Sequence, residues 1–137
     1  MRFATLVRRG IERPIVPLRV EAADGKWNLV DVLLDTGSDV TLFPSSLARY
    51  LGIDLAGVDE STVSSILGTQ AAYRSWNVFL ELRRPPDVLR WRATVGFVAR
   101  QMNYGILGTR GFFEFFTLRY HAREHWIEIE PGGPLPM

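Results

Sequence analysis

A run of apolar residues, Val32-Leu33-Leu34, ends on an acid, Asp35, which is followed at once by Thr36-Gly37-Ser38-Asp39. Three apolar residues in a row read as the end of a strand buried on both faces, and Thr-Gly-Ser is turn chemistry, so Asp35 stands where the chain leaves the core. A carboxylate in that place costs free energy unless backbone N–H groups, a partner charge or a function compensates. The plainest reading is an Asx turn, with Asp35 hydrogen-bonded to its own loop. A calcium loop needs more than DTGSDVTLFPSS offers, since the segment has Asp35 and Asp39 but neither the glycine at its sixth place nor the glutamate at its twelfth. A phosphorylated aspartate needs lysines and magnesium-binding acids around it, and the chain has a single lysine, Lys26. With no cysteine, disulfides, thiolate metal sites and a cysteine nucleophile are excluded. No Gly-x-Ser-x-Gly element supports a serine hydrolase. His121 and His125 fall on a turn and a strand start, where a spacing of four does not bring both rings to one face, so no metal and no cofactor is expected.

The elements that must hold Asp35 follow from periodicity and punctuation. Ile15 to Val20 and Trp27 to Leu34 read as a hairpin turning at Asp24-Gly25. Leu42-Phe43 is a short extended piece, and residues 44–52 have a serine to cap and a glycine to stop one or two helical turns. Val58 to Leu67 and Ala71 to Leu82 form a longer hairpin through Gly68-Thr69-Gln70, with Ile66 and Leu67 at its tip. After the break at Pro85-Pro86-Asp87, Val88 to Ala99 is another strand region, and Ile106-Leu107-Gly108 is a short apolar step. Thr109 to Phe116 reads as a short helix with an aromatic face, and Trp126 to Glu130 as a last strand stopped by Pro131. Residues 1–14 are expected to be an N-terminal arm and 131–137 a flexible tail.

The chain has 137 residues, 47% hydrophobic and 23% charged, with net charge +1, which describes one ordinary globular domain over 1–137. Its basic residues are almost wholly arginine and are interleaved with acids, so no nucleic-acid partner is expected. No apolar run is long enough for a membrane helix, and Arg8, Arg9, Glu12 and Arg13 interrupt what would be a signal core. The expectation is a cytoplasmic protein with no membrane partner.

LLDTGSDVTLFP resembles the catalytic loop of the aspartic peptidases, and Tyr104-Gly105-Ile106-Leu107-Gly108 resembles their second signature, an apolar pair and glycine behind that loop. The motifs stand about 70 residues apart with a hairpin between them, the order of a retropepsin-like half enzyme, and the likeness covers roughly Ile15 to Glu130. The resemblance implies an all-β, closed-barrel acid protease fold with a flap hairpin and one short C-terminal helix, active as a homodimer on peptide or protein substrates. The family's chemistry uses two aspartates, and this sequence has one Asp-Thr-Gly, so the second comes from another copy.

The same resemblance assigns roles. Asp35 activates water, Thr36 locks the two loops together, and Gly37 allows close approach and donates its N–H. Ser38 hydrogen-bonds the carboxylate from outside, and Asp39 binds substrate backbone or pairs with an arginine after the second motif. The candidate here, Arg110, is one position late. Ile66, Leu67, Gly68 and Thr69 close over the bound peptide, while Ile106, Leu107 and Gly108 support the loop. A different class of function also fits: the same fold kept as a catalytically silent peptide-binding or dimerisation module.

Overall fold

Alternation of buried and exposed residues builds the first hairpin. β4 (Ile15–Glu21) turns inward Val16, Leu18 and Val20, all fully buried, and pairs antiparallel with β5 (Trp27–Leu34), Val16 lying opposite Val32 and Ile15 opposite Leu33. The computed structural model describes residues 1–137 except Ser65, Ile66, Leu67 and Thr69. β6 (Leu42–Pro44) runs directly into the one α-helix among the described residues, α1 (Ser45–Tyr50). Its N-cap is Pro44, extended and without a side-chain cap, not the serine expected, because Pro44 is still paired to Val98 in the sheet and Ser45 is already helical. Gly52, at φ 73°, ends the helix as expected.

β7 (Glu60–Ser64) and β8 (Gln70–Arg84) form the stem of the second hairpin, with Glu60 opposite Arg74 and Ser64 opposite Gln70. β8 then pairs along most of its length with β9 (Asp87–Val98). The seven-stranded sheet is completed by β10 (Gly105–Leu107), and its order is β4-β5-β10-β6-β9-β8-β7, with β8 also pairing with β4 through Arg19 opposite Glu81 and Val20 opposite Leu80. The core between these strands holds Leu18, Phe43, Leu80, Trp91, Leu107 and Phe112, each fully buried.

At the β4–β8 pairing Glu81 is wholly buried and ringed by arginines: Arg90 at 2.6 Å, Arg83 at 3.0 Å and Arg19 at 4.0 Å. Burial opposes its charge, but hydrogen bonds from Arg90 and Arg83 outweigh it and hold the carboxyl below the usual glutamate range.

Three further expectations are corrected. Residues 109–115 are turns with a single β-bridge from Arg110 to Val40, not a helix, and Phe116 already begins the next strand. Gly111 sits at φ 96°, its N–H is taken by the Glu114 side chain, and the N–H groups of Phe113 and Glu114 reach back five residues to Gly108 and Thr109, so only one four-residue bond, Phe116 N–H to Phe112 O, is made and no helical ladder builds up. The fully buried Trp91 occupies the Gly111 carbonyl from outside at 2.8 Å. Residues 1–14, expected as an arm, contain three strands. β1 (Arg2–Ala4) pairs with β12 (Trp126–Pro131), which also pairs with β11 (Phe116–His121), while β2 (Leu6–Arg8) and β3 (Ile11–Arg13) make a separate hairpin turning at Arg9 and Gly10 with φ 52° and 73°. The 131–137 segment, marked by its prolines and glycines as a flexible tail, is tied at two points: Gly132 N–H donates to Phe115 O, and Arg92 N–H donates to Pro136 O.

Candidate active site

β10 lies between the two strands that flank the Asp35 loop. It runs parallel to β5, with Leu107 beside Leu34, and antiparallel to β6, with Ile106 opposite Leu42. The chain therefore leaves β5 at Asp35, passes over the end of β10, and returns as β6 on the other side. Asp35 N–H donates to Leu107 O at 3.0 Å, which fixes the acid to the end of the second motif. Gly37 N–H donates to Asp35 Oδ1 at 2.9 Å, and Ser38 N–H to Asp35 O at 3.1 Å. The Asx turn of the plainest reading is thus present. It leaves Asp35 half-buried at the mouth of a loop whose Thr36, Gly37 and Asp39 are exposed.

The two motifs are joined backbone to backbone. Thr109 N–H donates to Ser38 O and Arg110 N–H to Asp39 O, each at 2.9 Å, and Thr41 N–H returns the bond to Arg110 O at 3.1 Å. Such closeness has a steric condition. A Cβ on Gly108 would stand 2.3 Å from Val40 O and 2.7 Å from Ser38 O, so this position admits only glycine. Between the loops lies Thr41, fully buried, whose hydroxyl donates to Arg110 O at 2.9 Å and accepts from Gly108 N–H at 3.2 Å. The sequence reading missed this residue. Its signal was a polar side chain set between Val40 and Leu42 in a run that is otherwise apolar.

Several assignments change in detail. Ser38 turns its hydroxyl to Val40 O at 2.7 Å, inside its own loop, instead of bonding the carboxylate. Asp39 and Arg110 are linked through backbone only. Among the described residues no ion pair joins them, and Arg110 lines a polar depression with Ser75, Trp76, Asn77, Arg92 and Thr94. Of the expected flap tip, Ile66, Leu67 and Thr69 lie outside the described residues, while Gly68 is exposed at φ 80° above the paired stem. Ile106 and Leu107 lie in β10 with Leu107 fully buried. His121 stacks on Trp126 with ring centres 3.6 Å apart, and His125 Nδ1 faces Glu12 at 3.2 Å, so the two histidines serve separate contacts. Among the described residues no group of three or more His, Asp or Glu is placed to hold a metal.

No protein-family model matches the chain, and no curated protein matches it. Solved structures do. A retropepsin-like aspartic protease from Rickettsia conorii superposes with a TM-score of 0.60 at 13% identity, over 95% of this chain and 98% of that one. The EIAV protease complexed with the inhibitor HBY-793 gives a TM-score of 0.45 at 16% identity, over 75% of this chain and 88% of that one. Over most of its length, this chain has the fold of the retropepsin-like aspartic proteases.

Proposed function

We propose that the protein is an aspartic endopeptidase, active as a homodimer in which two Asp35 side chains form one carboxylate pair. The observation that carries this reading is the loop itself: Asp35 is fixed by Leu107 O, bonded by Gly37 N–H, and carried to a solvent-facing turn by strands that continue the core. An acid used only to close its own turn has no need of that support from a second, distant motif. The exposure of Thr36 and Gly37 leaves the loop tip open to a second copy. The pairing of β8 with β4 joins six strands of the sheet, β4-β5-β10-β6-β9-β8, in a ring with β7 outside it, which supports the barrel that the resemblance implied.

Two carboxylates in contact do not both ionise cheaply, so the pair shares one proton and titrates as a unit. The ionised Asp35 takes a proton from water as its oxygen attacks the scissile carbonyl carbon. The protonated mate gives its proton to the carbonyl oxygen. The tetrahedral diol then collapses: the proton held by Asp35 passes to the leaving nitrogen, the C–N bond breaks, and the ionised mate takes a hydroxyl proton of the diol as the carbonyl re-forms, which restores the singly protonated pair. No covalent intermediate forms, and the chemistry draws on no cofactor. An extended peptide would lie between this pair and the β7–β8 hairpin, whose tip carries Ile66, Leu67, Gly68 and Thr69. Asp39 and the neighbouring backbone would border it.

The test is cleavage of a mixed peptide library between about pH 4 and 6 by wild type and Asp35→Asn. The substitution is expected to lower kcat by at least about a hundredfold, the scale of a lost general base. Wild-type activity should fall above neutral pH as the pair loses its shared proton. Equal cleavage by both forms would refute the assignment. Absence of cleavage by a protein that sedimentation shows to be dimeric would leave the silent peptide-binding module in its place.

A further inference from the structure

The β2–β3 hairpin has two unlike faces. Val7 lies opposite Glu12 on one side, and Glu12, the hairpin's single acid, is engaged there by the Thr5 hydroxyl and by His125. The other face carries Leu6 opposite Arg13 and Arg8 opposite Ile11. That second face is one wall of a groove of about 750 Å³, in which Arg8, Arg9 and Arg13 look across at Asp31, Asn103 and Tyr104. None of the three arginines has an ion-pair partner among the described residues. Asp31 is the only acid in the lining, so three positive charges face one negative.

The groove connects to the catalytic loop by strand geometry. Along β5 the side chains of Asp31 and Leu33 leave by the same face, opposite to the buried Val32 and Leu34, and Asp35 takes the next place in that alternation. Four residues of strand separate Asp31 from Asp35 by about 13 Å, and an extended peptide covers that distance in about four residues. Tyr104 immediately precedes β10, whose far end holds Asp35, and Leu34 N–H donates to Pro14 O, which anchors the base of the hairpin beside the catalytic loop.

We infer that this groove is a specificity subsite of the proposed peptidase, in which Arg8, Arg9 and Arg13 take an acidic side chain of the substrate three to five residues from the scissile bond. The inference rests on the proposed endopeptidase reading. The preference comes from the hairpin, a part of the molecule separate from the Asp35 loop, and each copy in a dimer contributes one such subsite.

The experiment compares peptides that differ at one position, Asp or Glu against Asn or Gln, scanned along both sides of the cut. Wild type should show kcat/KM about tenfold higher for the acid at a position three to five residues from the cut, the scale of one charge-assisted hydrogen bond at a partly exposed site. The ratio should shrink as salt is raised. In the triple variant Arg8→Gln, Arg9→Gln, Arg13→Gln the ratio should approach one. Cleavage by wild type with no preference for acid, or an unchanged ratio in the triple variant, overturns the inference and leaves the peptidase reading intact. Where nothing is cleaved the peptidase reading fails, and binding of dye-labelled acidic and neutral peptides to Asp35→Asn protein, read by fluorescence anisotropy, decides the groove by itself. About tenfold tighter binding of the acidic peptide sustains it, and equal binding overturns it. A triple variant that sediments as monomer while its remaining dimer keeps the acidic preference shows the groove to be a contact between subunits, which also overturns the inference.

Discussion

Thr41 and Glu81 are both polar, both fully buried, and held in opposite ways. Thr41 sits between the two motif loops and is satisfied by backbone alone, Gly108 N–H on one side and Arg110 O on the other. Glu81 sits at the β4–β8 pairing and is satisfied by charge, with three arginines whose own side chains are more than two-fifths exposed. The difference teaches where this molecule tolerates titration. Beside the Asp35 loop the second motif is fastened by neutral groups that no working pH alters. The charge-dependent fastening lies at the strand pairing on another part of the sheet.

The strongest way to break the neutral side of that contrast is Gly108→Ala. Its Cβ would press on two carbonyl oxygens at well under contact distance, and neither belongs to a flexible side chain. The variant is expected to lose more than about 4 kcal/mol, the exceptional end of single substitutions, and urea unfolding measures it. An effect below about 1 kcal/mol would mean that the loops are not locked as described.

Next in size is Thr41→Val, which keeps the shape and removes the hydroxyl. Gly108 N–H then loses its acceptor in a buried place, at a cost of about 1–3 kcal/mol. The loss should be the same at pH 4 and pH 7, since neither partner titrates. A loss that varied with pH would contradict the contrast drawn here.

Smallest is Glu81→Gln, expected to cost about 1 kcal/mol or less at neutral pH. The arginines it leaves behind keep more than two-fifths of their side chains in water, so no fully buried charge is left uncompensated. Here pH does matter, and its sign follows from the shift. The folded-state pKa of Glu81 lies below its unfolded value of about 4.5. Its contribution is therefore complete above that value and disappears as pH falls through the lower, folded one. The stability gap between wild type and Glu81→Gln should close below about pH 4.5 and stay constant from pH 6 to 8, which thermal unfolding across pH would follow. A gap that widened with acid would reverse the assignment.

The site was legible in the sequence to the extent that chemistry and pattern coincided. Val32-Leu33-Leu34 before Asp35 and Ile106-Leu107 before Gly108 are apolar runs ending in turn residues, and both became the parallel strands that meet at the loop. The opening hairpin was readable because Asp24-Gly25 marks its turn and one face of β4 is uniformly aliphatic. Where local signals point one way and tertiary contacts another, reading failed. The aromatic run Phe112 to Phe116 looks helical by spacing, yet Gly111 at φ 96° leaves the helical region and the N–H groups of Phe113 and Glu114 bond five residues back. The arginines of the first 14 residues hid three strands, because β2 and β3 make a thin exposed ribbon with no core-facing period to detect. β11 escaped for a similar reason: apart from Phe116 its residues are half-buried or exposed, and its partner β12 supplies most of the apolar packing. Thr41 showed in sequence only as a polar residue in an apolar run, and its role depended on the loop after β10, some 70 residues away.

One feature of the terminal sheet bears on how two copies would come together. β1 is paired to β12 of its own chain, with Phe3 facing the core opposite Ile127. A strand that is already satisfied at home need not be traded for a neighbour's. For the proposed dimer this means encounter and separation of finished bodies, at rates governed by diffusion and surface fit and without a slow refolding step. Activity would then follow protein concentration promptly and reversibly on dilution, so that abundance itself serves as the control over when the second aspartate is present.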